Sequence, residues 1–128
     1  MQLSQAKIGQ PMIFVARIKN ERDNVLLQQS DVVSIEYTAY LLSSLSGFRK
    51  ERIPGHQGIV VPISSTIYDE CQTNVHLWTL DQIGYNFCHS PDISIFSLFP
   101  QYGRYEVCYS ISLNSANPIQ LHFLVDVE

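Results

Sequence analysis

The chain has 128 residues, 45% of them hydrophobic, which suits one domain with a real core and argues against disorder. Only 16% are charged, against about 25% in typical soluble domains, and the net charge is −4. That balance supplies no basic field for a phosphate backbone, so nucleic acid is a poor partner, and no window of about 18 apolar residues exists to span a membrane.

Met1 to Gln10 is polar, with isolated Leu3 and Ile8, and reads as an N-terminal arm over residues 1–10. It carries Lys7 but no apolar run, so no signal peptide is expected. From residue 11 to 128 the chain reads as one β domain. Pro11 to Lys19 is the first strand, with Met12, Phe14, Ala16 and Ile18 on one face and Val15, Arg17 and Lys19 on the other. Asn20 to Asn24 is a charged turn, and Val25 to Gln28 a short strand. Val32 to Leu42 is a strong strand, with Val33, Ile35, Tyr37, Ala39 and Leu41 expected inward.

Ser43 to Gly58, punctuated by Gly47, Pro54, Gly55 and Gly58, reads as a long loop. Ile59 to Ile63 is an apolar run in which Pro62 suggests an edge or a bulge. Ser64 to Val75 has no clean period and suits at most one helical turn. Trp78 to His89 is aromatic-rich with a break at Gly84-Tyr85, and Pro91 to Pro100 reads as another strand and a turn.

The last quarter is the clearest. Tyr105, Val107, Tyr109, Ile111 and Leu113 alternate with Arg104, Glu106, Cys108, Ser110 and Ser112. After Asn114-Ser115-Ala116-Asn117, Ile119, Leu121, Phe123, Val125 and Val127 alternate with Gln120, His122, Asp126 and Glu128. This is a hairpin with one buried face. About seven strands with regular turn signals and no amphipathic helix give an all-β chain, an antiparallel β-sandwich or barrel. If the last strand lies at a sheet edge, its free backbone groups invite pairing with another chain.

Gly103-Arg104-Tyr105-Glu106-Val107 resembles the tyrosine corner of immunoglobulin-like sandwiches, whose hydroxyl folds back onto the backbone just upstream. Val107 stands where antibody domains place a cysteine, and Trp78 falls too late to be their core tryptophan. The resemblance implies a disulfide-free, immunoglobulin-like β-sandwich. Thr73, Trp78, Asp81, Gly84 to His89, Tyr105-x-Val107 and Ile119 to Val127 also resemble small proteins of tailed-bacteriophage structural gene clusters. That likeness implies a virion subunit (capsid decoration, neck, tail or baseplate), made in the host cytoplasm.

No constellation carries a recognisable chemistry. Cys71, His76, Cys88 and His89 lack the tight pairs of a zinc site, and adjacent Cys88 and His89 would point to opposite faces of a strand. There is no nucleophile elbow, glycine-rich phosphate loop or calcium loop. No metal, cofactor or catalytic residue is expected, and the chain does not read as an enzyme.

The candidate interface is Phe48, Arg49, Lys50, Arg52 and Ile53, together with Trp78 and Tyr85. The first five hold three of the eight cationic residues and sit in the longest loop, as a solvated loop or a contact to a neighbouring subunit. Trp78 and Tyr85, with Phe87, suit either the core or a stacking surface. The low charge fits a Ser/Thr-rich sandwich or a surface covered by other subunits. The expected partners are other protein subunits in a homo-oligomer or lattice; the alternative is a carbohydrate- or receptor-binding module resting on Trp78 and Tyr85.

Overall fold

The computed structural model describes residues 3–20, 23–42, 49–114 and 116–128. Half of the chain is strand, and no α-helix forms among the described residues. The strands are β1 (Leu3–Ala6), β2 (Phe14–Ala16), β3 (Lys19–Asn20), β4 (Val25–Leu26), β5 (Val32–Leu42), β6 (Arg49–Arg52), β7 (Ile59–Val61), β8 (Ile67–Gln72), β9 (Tyr85–His89), β10 (Gly103–Leu113) and β11 (Ile119–Val127). A 3₁₀ turn at Gln29–Asp31 precedes β5. No helix among the described residues is long and apolar enough to cross a membrane.

The main sheet runs β1-β11-β10-β5-β6, with β7 also on β5; β2-β9-β8 forms a second sheet and β3-β4 a third. The pairings are antiparallel except β1 on β11, which is parallel and makes the main sheet mixed. The C-terminal hairpin forms as the alternation requires. Tyr105, Val107, Tyr109 and Ile111 are fully buried, and each lies opposite a residue of β5 on one side and of β11 on the other. Ring contacts join the two larger sheets: Phe87 of β9 meets Tyr109 edge-on at 4.9 Å, and Phe14 of β2 meets Phe123 at 4.9 Å. Twenty buried apolar residues form this one core.

The Tyr105 hydroxyl folds back as its sequence context suggests. It donates to the Gln101 carbonyl at 2.8 Å and accepts the Gln101 N–H at 3.2 Å. Phe99 packs on its ring at 5.0 Å.

Five segments depart from the sequence expectation, each for a local reason. The expected strand Pro11 to Lys19 pairs with β9 only over Phe14–Ala16, because the Ile18 backbone bonds the Asn86 side chain and Lys19 passes to β3. Val33 is 60% exposed, whereas Val32 is buried. A bulge shifts the β5–β10 register between Ser112 and Leu113, which adds a residue to β5 and turns Val33 and Ser34 outward together. The Ser43 to Gly58 loop contains β6, and residues 49–61 track one edge of β5 throughout; residues 43–48 lie outside the described residues. The Ala39 N–H donates to the His56 carbonyl and the Ile53 N–H to the Ala39 carbonyl, so Pro54 and Gly55 shape a bulge within this run. Ser64 to Val75 holds β8, an edge strand in which Ile67 alone is buried and which therefore has no burial period. Pro91 to Pro100 forms no strand. Asp92 caps a turn by accepting the Ser94 N–H, and the segment delivers Leu98 and Phe99 into the core.

The edge of the terminal strand is covered. Leu3 to Ala6 pair with Leu124 to Val127, the Glu128 N–H donates to the Ala6 carbonyl, and the Ile8 N–H donates to the Glu128 carbonyl. The polar lead-in thus supplies a strand of the main sheet.

Candidate functional site

Tyr37 on β5, His56 in the bulge, His89 at the end of β9 and Tyr109 on β10 form a polar cluster inside the aromatic core. His56 is 1% exposed, and its Nε2 lies 2.8 Å from the Phe96 carbonyl, which can only accept. Nε2 therefore carries a proton, and Nδ1 pairs with the Tyr37 hydroxyl at 2.7 Å. His89 Nδ1 pairs with the Tyr109 hydroxyl at 2.7 Å. Burial lowers the His89 pKa to about 4 and raises the Tyr37 hydroxyl to about 12, the latter with a smaller contribution from Asp92. The His89–Tyr109 pair is therefore neutral near pH 7.

Above this cluster lies a depression of about 330 Å³, lined by Tyr37, His89 and Asp92 and rimmed by Ile59, Val60, Ile95 and Phe96. These rim residues are 37%, 74%, 84% and 50% exposed. Phe96 packs directly on Gly55, which has φ +81° and no room for a Cβ. The rim is thus an apolar patch around a polar floor that includes the Asp92 carboxylate.

Of the residues that the sequence singled out, Arg52 is exposed, opposite Tyr40 on the outer run along β5. Arg49 and Lys50 lie on the same strand, with side chains outside the described set, and Phe48 lies outside the described residues. Ile53 is withdrawn from the surface: it is 2% exposed and part of the core, because the bulge turns it inward. Tyr85 is likewise only 5% exposed, packed between Tyr68 and Trp78.

Trp78 is half-buried. Its indole N–H donates to Asp81 at 2.9 Å, and the Arg17 guanidinium sits 5.7 Å from its ring while pairing with Asp81 at 2.8 Å. Asp81 also accepts the N–H groups of Ile83 and Gly84. The Trp78 donor, ahead of the Gly84 N–H and Arg17, holds this carboxylate well below the usual range. Trp78 borders a groove of about 480 Å³ with Met12, Ile13, Leu80, His122 and Phe123.

Cys71, His76, Cys88 and His89 do not converge. Among the described residues, the donor cluster that does is Glu106, Cys108 and His122, on the outer face of the β10–β11 hairpin. Cys108 Sγ lies 3.1 Å from Glu106 Oε1 and 3.3 Å from His122 Nδ1, and His122 Nδ1 lies 3.8 Å from Glu106 Oε2. Alternation already puts all three on one face in the sequence. What the sequence does not give is the register that sets Cys108 opposite His122.

No family model, curated protein or solved structure matches the chain.

Proposed function

We propose that the protein is a non-enzymatic structural subunit of a larger assembly, an immunoglobulin-like β-sandwich of the kind used in tailed-phage virions. The strand order supports the fold reading. With β5 taken as strand C, β11-β10-β5-β6 follows the order G-F-C-C′ and β2-β9-β8 the order B-E-D. The Tyr105 corner opens the strand that would be F. Phe14 and Tyr109, 6.0 Å apart, fill the space between strands B and F, which a disulfide joins in antibody domains.

The observation that carries the assembly reading is the apolar rim of Ile59, Val60, Ile95 and Phe96 around one depression, in a chain of only 16% charged residues. Contiguous apolar surface on a fixed backbone mediates protein contacts, with charged residues depleted from the centre of the patch. The natural neighbour is a second copy or a fellow subunit on a symmetric ring or lattice. The carbohydrate alternative loses its two-ring platform with the burial of Tyr85.

Sedimentation velocity on the purified protein, with co-purification on particles from producing cells, tests this reading. The wild-type chain self-associates or travels with particles. Val60→Lys with Ile95→Lys weakens that association by about 100-fold, on the scale of about 1.5–3 kcal/mol per buried apolar side chain, and leaves the circular dichroism unchanged. A chain that is monomeric at every concentration and absent from particles overturns it.

A further inference from the structure

The geometry points to a binding site for one divalent cation of the zinc class at Glu106, Cys108 and His122. Strand alternation places Glu106 and Cys108, two residues apart on β10, on the same outer face. The hairpin register then sets His122 of β11 directly across from Cys108. Two adjacent strands of a continuous sheet therefore hold the donors before any ion arrives.

The separations fit one ion. Ligands of a tetrahedral zinc at ordinary bond lengths stand about 3.4–3.6 Å apart. Here Cys108 Sγ lies 3.1 Å from Glu106 Oε1 and 3.3 Å from His122 Nδ1, His122 Nδ1 lies 3.8 Å from the second carboxylate oxygen, Oε2, and one donor atom from each residue falls within 4.8 Å of the others. The donor types also fit: thiolate, imidazole and carboxylate are the three ligand classes that zinc takes. On binding, the Cys108 thiol gives its proton to solvent, and the His122 Nδ1 lone pair faces the ion while Nε2 keeps the ring proton. One thiolate and one carboxylate balance the two positive charges. The His122 and Glu106 side chains are 34% and 18% exposed, which leaves a fourth position for water.

A cysteine–histidine–carboxylate relay is the other chemistry such residues support, and the geometry disfavours it. A relay needs the nucleophile and the orienting carboxylate on opposite ring nitrogens. Cys108 and Glu106 both approach Nδ1.

The test uses the full chain and Co²⁺ alone, followed by Zn²⁺ alone. Co²⁺ binds at about one equivalent with a thiolate-to-cobalt charge-transfer band, which Zn²⁺ abolishes by displacement. Cys108→Ser, which retains a hydroxyl donor toward Glu106, loses the band. His122→Gln weakens binding by at least about 100-fold, since even outer-shell partners cost 10–100-fold. The Cys71→Ser/Cys88→Ser double variant keeps both band and affinity. Zn²⁺ at about 100 times its Kd raises the Tm of the wild type by about 10 °C and leaves that of Cys108→Ser unchanged. Absence of any charge-transfer band at tenfold excess of Co²⁺, or a band that survives Cys108→Ser and disappears with Cys71 and Cys88, overturns the assignment.

Discussion

Asn86 offers the sharpest test of what holds the small β3–β4 hairpin to the body of the protein. It sits on β9, fully buried, and its side chain makes three hydrogen bonds into the hairpin and its flanks. Oδ1 accepts the Ile18 N–H at 2.6 Å, and Nδ2 donates to the Ile18 carbonyl at 3.0 Å and to the Leu27 carbonyl at 3.2 Å. Asn86→Ala removes all three. The Ile18 carbonyl keeps a partner, because it also accepts the Leu27 N–H at 3.0 Å. The Ile18 N–H and the Leu27 carbonyl lose the Asn86 side chain with no water at hand, as both residues are buried. Each such buried group costs about 1–3 kcal/mol, so the variant loses about 2–6 kcal/mol. That is a large share of the roughly 5–15 kcal/mol that holds a domain folded. With an unfolding entropy of about 0.27 kcal/mol/K for a chain of this length, Tm falls by about 7–22 °C. Urea unfolding at pH 7, with an unchanged m-value, reads the loss directly. Asn114→Ala is the control: it removes one exposed bond to the Ser30 carbonyl and should cost within about 0.5 kcal/mol. The reasoning fails if Asn86→Ala costs no more than Asn114→Ala.

Three further outcomes follow from the same structure. Tyr105→Phe removes both bonds to Gln101 but leaves that exposed residue open to water, so urea unfolding should register a loss of about 1–2 kcal/mol; a loss below about 0.3 kcal/mol refutes the corner as a stabilising contact. His89 has a folded pKa lowered by burial to about 4, below its unfolded value of 6.5, so the unfolded chain binds more protons in that window and stability falls as pH drops from 6.5 to 4. The loss is about 1–2 kcal/mol once partial solvent access is discounted, and urea unfolding at pH 7 and pH 4.5 should show His89→Gln flattening the slope; an unchanged slope refutes this. Deleting residues 1–6 strips β1 from β11, and light scattering against concentration should show association beyond that of the intact chain; a truncated chain as stable and soluble as the parent sinks this account of the edge.

Legibility in the sequence tracked how strongly each strand is buried on one face. β10 alternates through Ile111, and β11 does so except at Leu124, because the core covers one side of the hairpin, so the extent of both strands could be read directly. β5 could be read up to its bulge, where one extra residue reverses the alternation and Val33 turns out while Val32 turns in. β6 and β8 could not be read; β8, at the edge of its sheet, buries only Ile67 and so has no period. Pro54 and Gly55, ordinarily loop residues, here bend an edge run that remains bonded to β5.

The sites followed the same rule. Tyr105 could be assigned because its partner lies four residues away, whereas Asn86 and His56 act across 68 and 40 residues respectively, distances that no local pattern spans. The Glu106–Cys108–His122 cluster lay between these cases. Its shared face was visible, and only the hairpin register was missing. The same register pairs Arg104 with Asp126 and Ser110 with Gln120, so the outer face of the hairpin is a ladder of polar cross-strand contacts.

These elements also constrain how an assembly of such subunits would be joined. Strand addition needs a long, flat, unpaired edge. The edge of β11 is taken by β1, a strand of four residues. The opposite edge is broken by the bulge at Ile53 to Gly58 and ends at Pro62, which has no N–H to offer a partner strand. In the second sheet, β2 spans three residues and β8 carries Asp69 and Glu70. Each edge is short, kinked or charged, the devices by which β proteins block edge-to-edge pairing. Contacts between subunits would therefore run through side chains, and the apolar rim of Ile59, Val60, Ile95 and Phe96 is where they would be apolar. On this reasoning Val60→Lys with Ile95→Lys weakens association by about 100-fold, whereas Pro62→Val, which restores an edge donor, does not strengthen it.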